Sequence, residues 1–133
     1  MGHGNITREI LSKISQNSTL YTFEIKEEFC DYERESIQDD RLHILNDGAE
    51  NMKHHIYQKI DCIIASIPIS FFSKEKGIGI IKDAYDTLIK DAYYSQVLYT
   101  KFNFKKFQSV FDKCELKRFL GIPTEYIYHC QKK

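Results

Sequence analysis

The sequence has no surplus of either charge: nineteen lysines and arginines stand against nineteen aspartates and glutamates in 133 residues. A balanced chain makes no global field of the kind that draws a protein onto a nucleic-acid backbone, which weakly disfavours an RNA-binding reading. Paired cysteine motifs are missing too. Cys30, Cys62, Cys114 and Cys130 lie far apart, with no CxxC and no Cys/His ligand spacing. Neither a zinc site nor a disulfide framework is signalled, no metal is expected, and reduced thiols in a cytoplasmic protein are the simpler account. Long apolar runs are absent as well. The stretches around Cys62 to Ile69 and Ile78 to Ile81 fall well short of the ~20 residues a membrane-spanning helix needs, and no secretory signal precedes them. The chain has no internal repeat and no low-complexity tract.

What is present is enough for one core. With 42% hydrophobic and 14% aromatic residues, a single domain spanning residues 1–133 is the expectation. Ile6, Ile10, Leu11 and Ile14 recur at helical spacing over Asn5 to Gln16, directly after Gly2-His3-Gly4, so a glycine loop opens a helix. Thr19 to Ile25 is β-branched and aromatic and reads as a strand ending at an acid, Glu24. A helix over about Lys26 to Ser36 follows, then a short strand, Arg41 to Asn46. Asp47-Gly48 turns the chain into a helix from about Ala49 to Tyr57.

Ile60 to Ala65 is a nearly unbroken apolar run, the pattern of a parallel strand covered by helices on both faces. Pro68 cannot donate to a ladder and holds Ile67 out of helical geometry, so the strand stops and a loop begins at Ser66. Ile80, Ile81, Ala84, Tyr85 and Leu88 define a long amphipathic helix. Tyr93 to Thr100 is a further strand and Phe104 to Phe111 a short helix. Glu115 to Leu120 and Glu125 to Gln131 are separated by too few residues for a crossover, so they pair antiparallel. The alternation predicts an α/β sandwich, Rossmann-like, with a mainly parallel sheet and a C-terminal antiparallel hairpin.

In open α/β sheets ligands collect at the carboxyl ends of the strands. Four segments stand there: Gly2-His3-Gly4, Glu24, Asp47 with Gly48-Ala49, and Ser66-Ile67-Pro68-Ile69. A glycine turn permits close backbone approach, and the helix N-terminus after it favours an anionic group. A carboxylate at the end of the next strand can accept both hydroxyl hydrogens of a ribose. Each feature has a plainer reading: Glu24 as a surface acid, Asp47-Gly48 as a turn, and Ser66-Ile67-Pro68 as a strand terminator. His54 and His55 are adjacent on a helix, make a poor metal pair, and read as solvated. His129 reads as a partly buried structural histidine. The aromatics from Tyr93-Tyr94 through Tyr99, Phe102 and Phe104 read as core packing before a lipid face.

The order of these motifs carries a resemblance. GHGNITREIL resembles the GxGxxTxxIL loop and helix of class I S-adenosylmethionine-dependent methyltransferases related to ribosomal RNA adenine dimethylases and bacterial phospholipid N-methyltransferases. Phe23-Glu24-Ile25 resembles the strand whose acid binds the cofactor ribose, DRLHILNDGAENM the next strand and its adenine-side turn, and KIDCIIASIPIS the strand and loop where the methyl acceptor meets the cofactor. FLGIPTEYIYHCQKK resembles the closing hairpin of the phospholipid enzymes. The resemblance implies S-adenosyl-L-methionine as cofactor. It implies contacts through Gly2, Gly4, Glu24, Ile25, Asp47, Gly48, Ala49 and Ser66, with Ser66 and Pro68 beside the reacting methyl group, all gathered at one rim of the sheet.

Three departures shape the expectation. Ser66 and Ile69 replace the amide and the aromatic of the RNA enzymes' acceptor loop, which points away from a flipped base and toward a phospholipid amine of the phosphatidylethanolamine kind. Gly48 takes the place of the adenine-side acid, leaving Asp47 one residue early. The upstream helix and the first, central strand of the family are missing from this chain. Two rows of backbone groups, on the strands ending at Glu24 and at Ser66, are therefore expected to lack partners. Each buried unmet group costs about 1–3 kcal/mol, so the chain by itself is expected to fold poorly or to pair with another chain. The expected partners are the cofactor and a phospholipid at the inner face of a membrane, with nucleic acid the lesser option and a homo-oligomer left open. A non-catalytic remnant of the fold is the rival from another class.

Overall fold

The computed structural model describes residues 3–133. Its elements follow the expected alternation, and they fall into two units, Met1–Asn51 and Met52–Lys133.

In the first unit, helix α1 (Asn5–Lys13) starts at Gly4, whose φ of 75° lies in the left-handed region open to glycine. Thr7 and Leu11 face inward. The last-turn carbonyls of a helix have no partner within it, and here Arg41 supplies one: its guanidinium donates to Leu11 O (2.9 Å), Ile14 O (3.0 Å) and Ser15 O (3.1 Å) while paired with Asp39 at 2.7 Å. Strand β1 (Leu20–Phe23) lies parallel to β2 (Leu42–Leu45), Leu20 opposite Leu42 and Phe23 opposite Leu45. Parallel strands need a crossover, and helix α2 (Glu27–Ser36) provides it, with Glu27 and Glu28 in its first turn and Arg34 in its last, as the helix dipole favours. Strand β1 is shorter than the predicted Thr19 to Ile25, because Glu24 turns back onto the Lys26 N–H.

In the second unit, helix α3 (Met52–His55) is tied by Lys53 to Asp83 (2.6 Å) and Asp86 (3.1 Å) of helix α4 (Lys74–Thr87). The helix predicted over Ala49 to Tyr57 is thus only α3 and, in the first unit, a 3-10 turn over Ala49–Asn51. Strands β3 (Ile60–Ala65), β4 (Leu88–Leu98), β5 (Lys113–Phe119) and β6 (Glu125–Gln131) form a sheet in the order β3-β4-β6-β5. The first pair is parallel and the other two antiparallel. Ser73 caps α4 by accepting the Lys76 N–H at 3.2 Å. Helix α5 (Phe104–Gln108) lays Phe107 between Tyr94 and Tyr128, with ring centroids 5.7 and 5.1 Å away. Tyr94, Phe107 and Tyr128 are fully buried, as are Ile80, Ile81, Ala84 and Leu88.

Two expectations are corrected here. Leu88 continues the apolar spacing of α4 but opens β4, so helix passes into strand with no loop between them. Strand β3 is not covered on both faces: Asp61, Cys62 and Ile64 are exposed. Among the described residues β1 and β3 each pair on one side only.

Candidate active site

At the end of β1, Glu24 is held by backbone geometry. Its N–H donates to Leu45 O (3.1 Å), its carbonyl accepts from the Asn46 side-chain amide (2.9 Å), and its Oε1 accepts from the Lys26 N–H (3.0 Å). Partial burial acts to raise the pKa of this carboxyl, but hydrogen bonding, led by the Lys26 N–H, outweighs it and leaves Glu24 below the ordinary carboxylate value. The group is therefore an ionised acceptor at neutral pH. Ile25 beside it is 73% exposed, an apolar surface next to an acid. At the adjacent strand end, Asp47 Oδ1 accepts from the Gly48 N–H (2.7 Å) and from the Asn51 side chain (2.8 Å), so the turn reading of Asp47-Gly48 describes those bonds. Gly48 is buried and Ala49 opens the 3-10 turn.

Gly4 packs against α2. A Cβ on it would meet Glu33 Oε1 at 3.1 Å, in the second half of α2, whereas Glu24 precedes that helix's first turn. Glu33 is fully buried and accepts from Thr7 Oγ1 at 2.8 Å, while its Oε2 has no hydrogen-bond partner. The first unit thus brings Glu24, Ile25 and Asp47 to neighbouring strand ends and sets Gly4 against Glu33. Gly2 lies outside the described residues.

In the second unit, β3 ends at Ala65 and Ser66 and Pro68 are exposed in the loop after it, while Ile69 is fully buried. Two buried polar side chains pin this loop. Gln96 Nε2 donates to Ile67 O at 2.9 Å, its own Oε1 receiving the Tyr94 hydroxyl at 2.7 Å; burial pushes the Tyr94 phenol upward, so it stays protonated as a donor. Asn103 Nδ2 donates to Ser70 Oγ at 2.7 Å. Sequence reading passed over both residues. The signal for Gln96 was an amide at an inward position of β4, between Tyr94 and Leu98, where an apolar side chain is the norm. Phe71, two residues past Ile69, was also passed over; it is 88% exposed.

Solved structures match this arrangement of elements. NodS, an N-methyltransferase from Bradyrhizobium japonicum WM9 in complex with S-adenosyl-L-homocysteine, is similar with a TM-score of 0.82 at 7% identity, over 98% of this chain and 74% of that one. An rRNA methylase from Streptococcus thermophilus is similar at 0.75 and 18% identity, over 100% and 83%. A methyltransferase from Pyrococcus furiosus is similar at 0.76 and 19%, over 98% and 71%. The fold is the Rossmann-like methyltransferase fold. No protein-family model matches the chain. No curated protein matches it either. Among the described residues no cluster of three or more His, Cys, Asp or Glu side chains is placed to hold a metal ion, and no helix is long and apolar enough to cross a membrane.

Proposed function

We propose that residues 1–133 act as one S-adenosylmethionine-dependent N-methyltransferase domain whose acceptor is the amine head group of a phospholipid. The observation that carries the reading is the likeness to an N-methyltransferase solved with S-adenosyl-L-homocysteine, which extends over 98% of this chain. The residues fit such a cofactor. Glu24 offers an ionised carboxylate for ribose hydroxyls, Ile25 an apolar surface for the adenine side, and Gly4 a left-handed helix entry without a side chain in the way. Asp47 is occupied by its own turn, so its part, with Gly48 and Ala49, is to shape the backbone beside the adenine. Gly2 belongs to the same loop by sequence.

When bound, the cofactor supplies a sulfonium methyl that passes to the amine nitrogen as the carbon–sulfur bond breaks. The ammonium head group must first lose a proton to solvent, which frees the nitrogen lone pair, and Ser66 and Pro68 would form the wall against which the neutral amine is held. Side chains do little covalent work in such a displacement, so alignment is the main contribution. Gln96 and Asn103 serve that end by fixing the loop.

An RNA base is the second reading, favoured by one observation: Phe71 presents an exposed ring in the same loop. Calorimetric titration with S-adenosylmethionine tests the shared core of both. Binding that Glu24→Ala weakens about tenfold or more, a loss of about 1.4 kcal/mol or above, is the expected result. No heat above dilution leaves the non-catalytic reading. Transfer of labelled methyl to phosphatidylethanolamine vesicles but not to ribosomal RNA separates the acceptors.

A further inference from the structure

Strand register fixes which loops share one end of the four-stranded sheet. Ala65 pairs with Gln96, Leu98 with Tyr126, and Phe119 with Glu125, so residues 66–73, 99–103 and 120–124 all leave from that end. Two of these loops are anchored at their bases, Ile67 by Gln96, Ser70 by Asn103 and Thr100 by the Tyr128 hydroxyl, and the third is the turn between the paired strands β5 and β6. Their tips are apolar and bare. Phe71 is 88% exposed, Phe102 84%, Leu120 80%, and Ile122 fully. Firmly held loops that present large apolar side chains to water mark a docking surface.

Charge says what kind of surface. Residues 99–106 carry Lys101, Lys105 and Lys106 and no acid, residues 117–125 at the hairpin tip carry Lys117 and Arg118 against Glu125, and residues 66–76 carry two lysines against Glu75. In a chain whose charges balance overall, this end is strongly positive. Rings and aliphatics set among lysines suit the boundary of a membrane with anionic head groups, where tips enter the acyl region and cations meet phosphates. Single-stranded nucleic acid takes aromatic platforms, but Leu120 and Ile122 at the hairpin tip have no plane for a base to stack on. Hydrocarbon is the phase that accepts them.

We propose that this end of the second unit, formed by the loops after β3 and β4 and the β5–β6 turn, docks onto an anionic lipid bilayer. The proposal deepens the phospholipid reading and rests on it for its purpose, since docking brings the loop Ser66 to Ser70 to the head groups. Co-sedimentation of the full chain with vesicles of phosphatidylcholine, and of phosphatidylcholine mixed with phosphatidylglycerol, tests it. The chain is expected to sediment with the mixed vesicles, less with the neutral ones and less in high salt. The double variant Leu120→Ser, Ile122→Ser is expected to bind about tenfold more weakly or worse. Its S-adenosylmethionine titration stays at the wild-type value. Phe102→Ser, in a separate loop, is expected to weaken sedimentation in the same sense and serves should the double variant fail to fold. Failure of the wild type to sediment, or variants that sediment like it, would overturn the proposal. So would tighter retention on an RNA oligonucleotide than on vesicles, unmoved by the hairpin substitutions. Vesicle binding without heat from S-adenosylmethionine would keep the docking surface and remove the methyltransferase reading.

Discussion

The first unit builds its sheet from two four-residue strands, and among its described residues only Leu11 and Cys30 are buried apolar side chains. The second builds four longer strands around a buried set that includes Tyr94, Phe107, Phe111 and Tyr128. A two-stranded sheet is marginal in water, so the first unit leans on polar links instead: Arg41 across the end of α1, and Thr7 on Glu33. Among the described residues, the two buried side-chain polar atoms that lack a partner, Thr22 Oγ1 in β1 and Glu33 Oε2 in α2, belong to this unit. Unmet buried groups are where a fold is under strain. The half that carries Glu24 is therefore held less firmly than the half that carries the loop after β3.

Hydrogen exchange measures that difference, since local opening free energies follow buried contacts. Amides of β1 and β2 are expected to open at lower free energy than those of β4 and β6. The largest way to break the contrast is Phe107→Ala. It empties a fully buried position between two rings and is expected to remove about 3–5 kcal/mol from the second unit. Urea unfolding reads the loss, and exchange in β4 and β6 should fall toward the level of β1 and β2. An unchanged gap would mean that the aromatic core is not what separates the units.

Acid sharpens the same contrast by a smaller amount. Hydrogen bonds from the Arg41 side chain and backbone hold the Asp39 carboxyl down at about 2, and Glu24 also lies below its ordinary value. In the second unit the Lys133 N–H and the Tyr85 hydroxyl lower Asp112. A carboxyl depressed in the fold stabilises it above the unfolded value, about 4, and that stability is lost as pH falls through the folded value. The first unit, with two such groups, is expected to lose more exchange protection between about pH 4 and pH 2. Arg41→Gln should return Asp39 toward the ordinary value in a carbon-detected titration and flatten the first unit's acid dependence.

The element order could be read from the sequence because it rests on periodicity. Ile60 to Ala65 was placed to the residue, since Pro68 and the apolar run bound it on chemical grounds. Leu88 was misplaced because its spacing from Ala84 suits a helix as well as it suits the first residue of a strand, and Asp91, whose φ of 65° accompanies the register shift near the start of β4, has no signature in composition. The strand ends could be read in the same way, so Glu24 and Ser66 fell where strands stop. Which hydrogen bonds those residues make was not legible. Asp47 is engaged by Gly48 and Asn51, and the amides that pin the loop sit on β4 and before α5, far along the chain from Ile67 and Ser70. Partnerships of that kind depend on which elements become neighbours, and one-dimensional spacing does not encode it.

Glycine makes the smallest test, with opposite signs in the two units. In α4 a Cβ on Gly79 would meet nothing within 4 Å, and the backbone there is helical. Gly79→Ala removes unfolded-chain freedom and adds no contact, so it is expected to raise stability by about 0.5–1 kcal/mol. Gly4 has a φ of 75°, and a Cβ there would press on Glu33 Oε1 at 3.1 Å. Gly4→Ala is expected to cost about 1–2 kcal/mol, because an L side chain is strained in that conformation. Melting temperatures of the two variants check both signs. Two shifts in the same direction would mean that the left-handed entry to α1, and with it the glycine loop proposed for the cofactor, is not fixed as described.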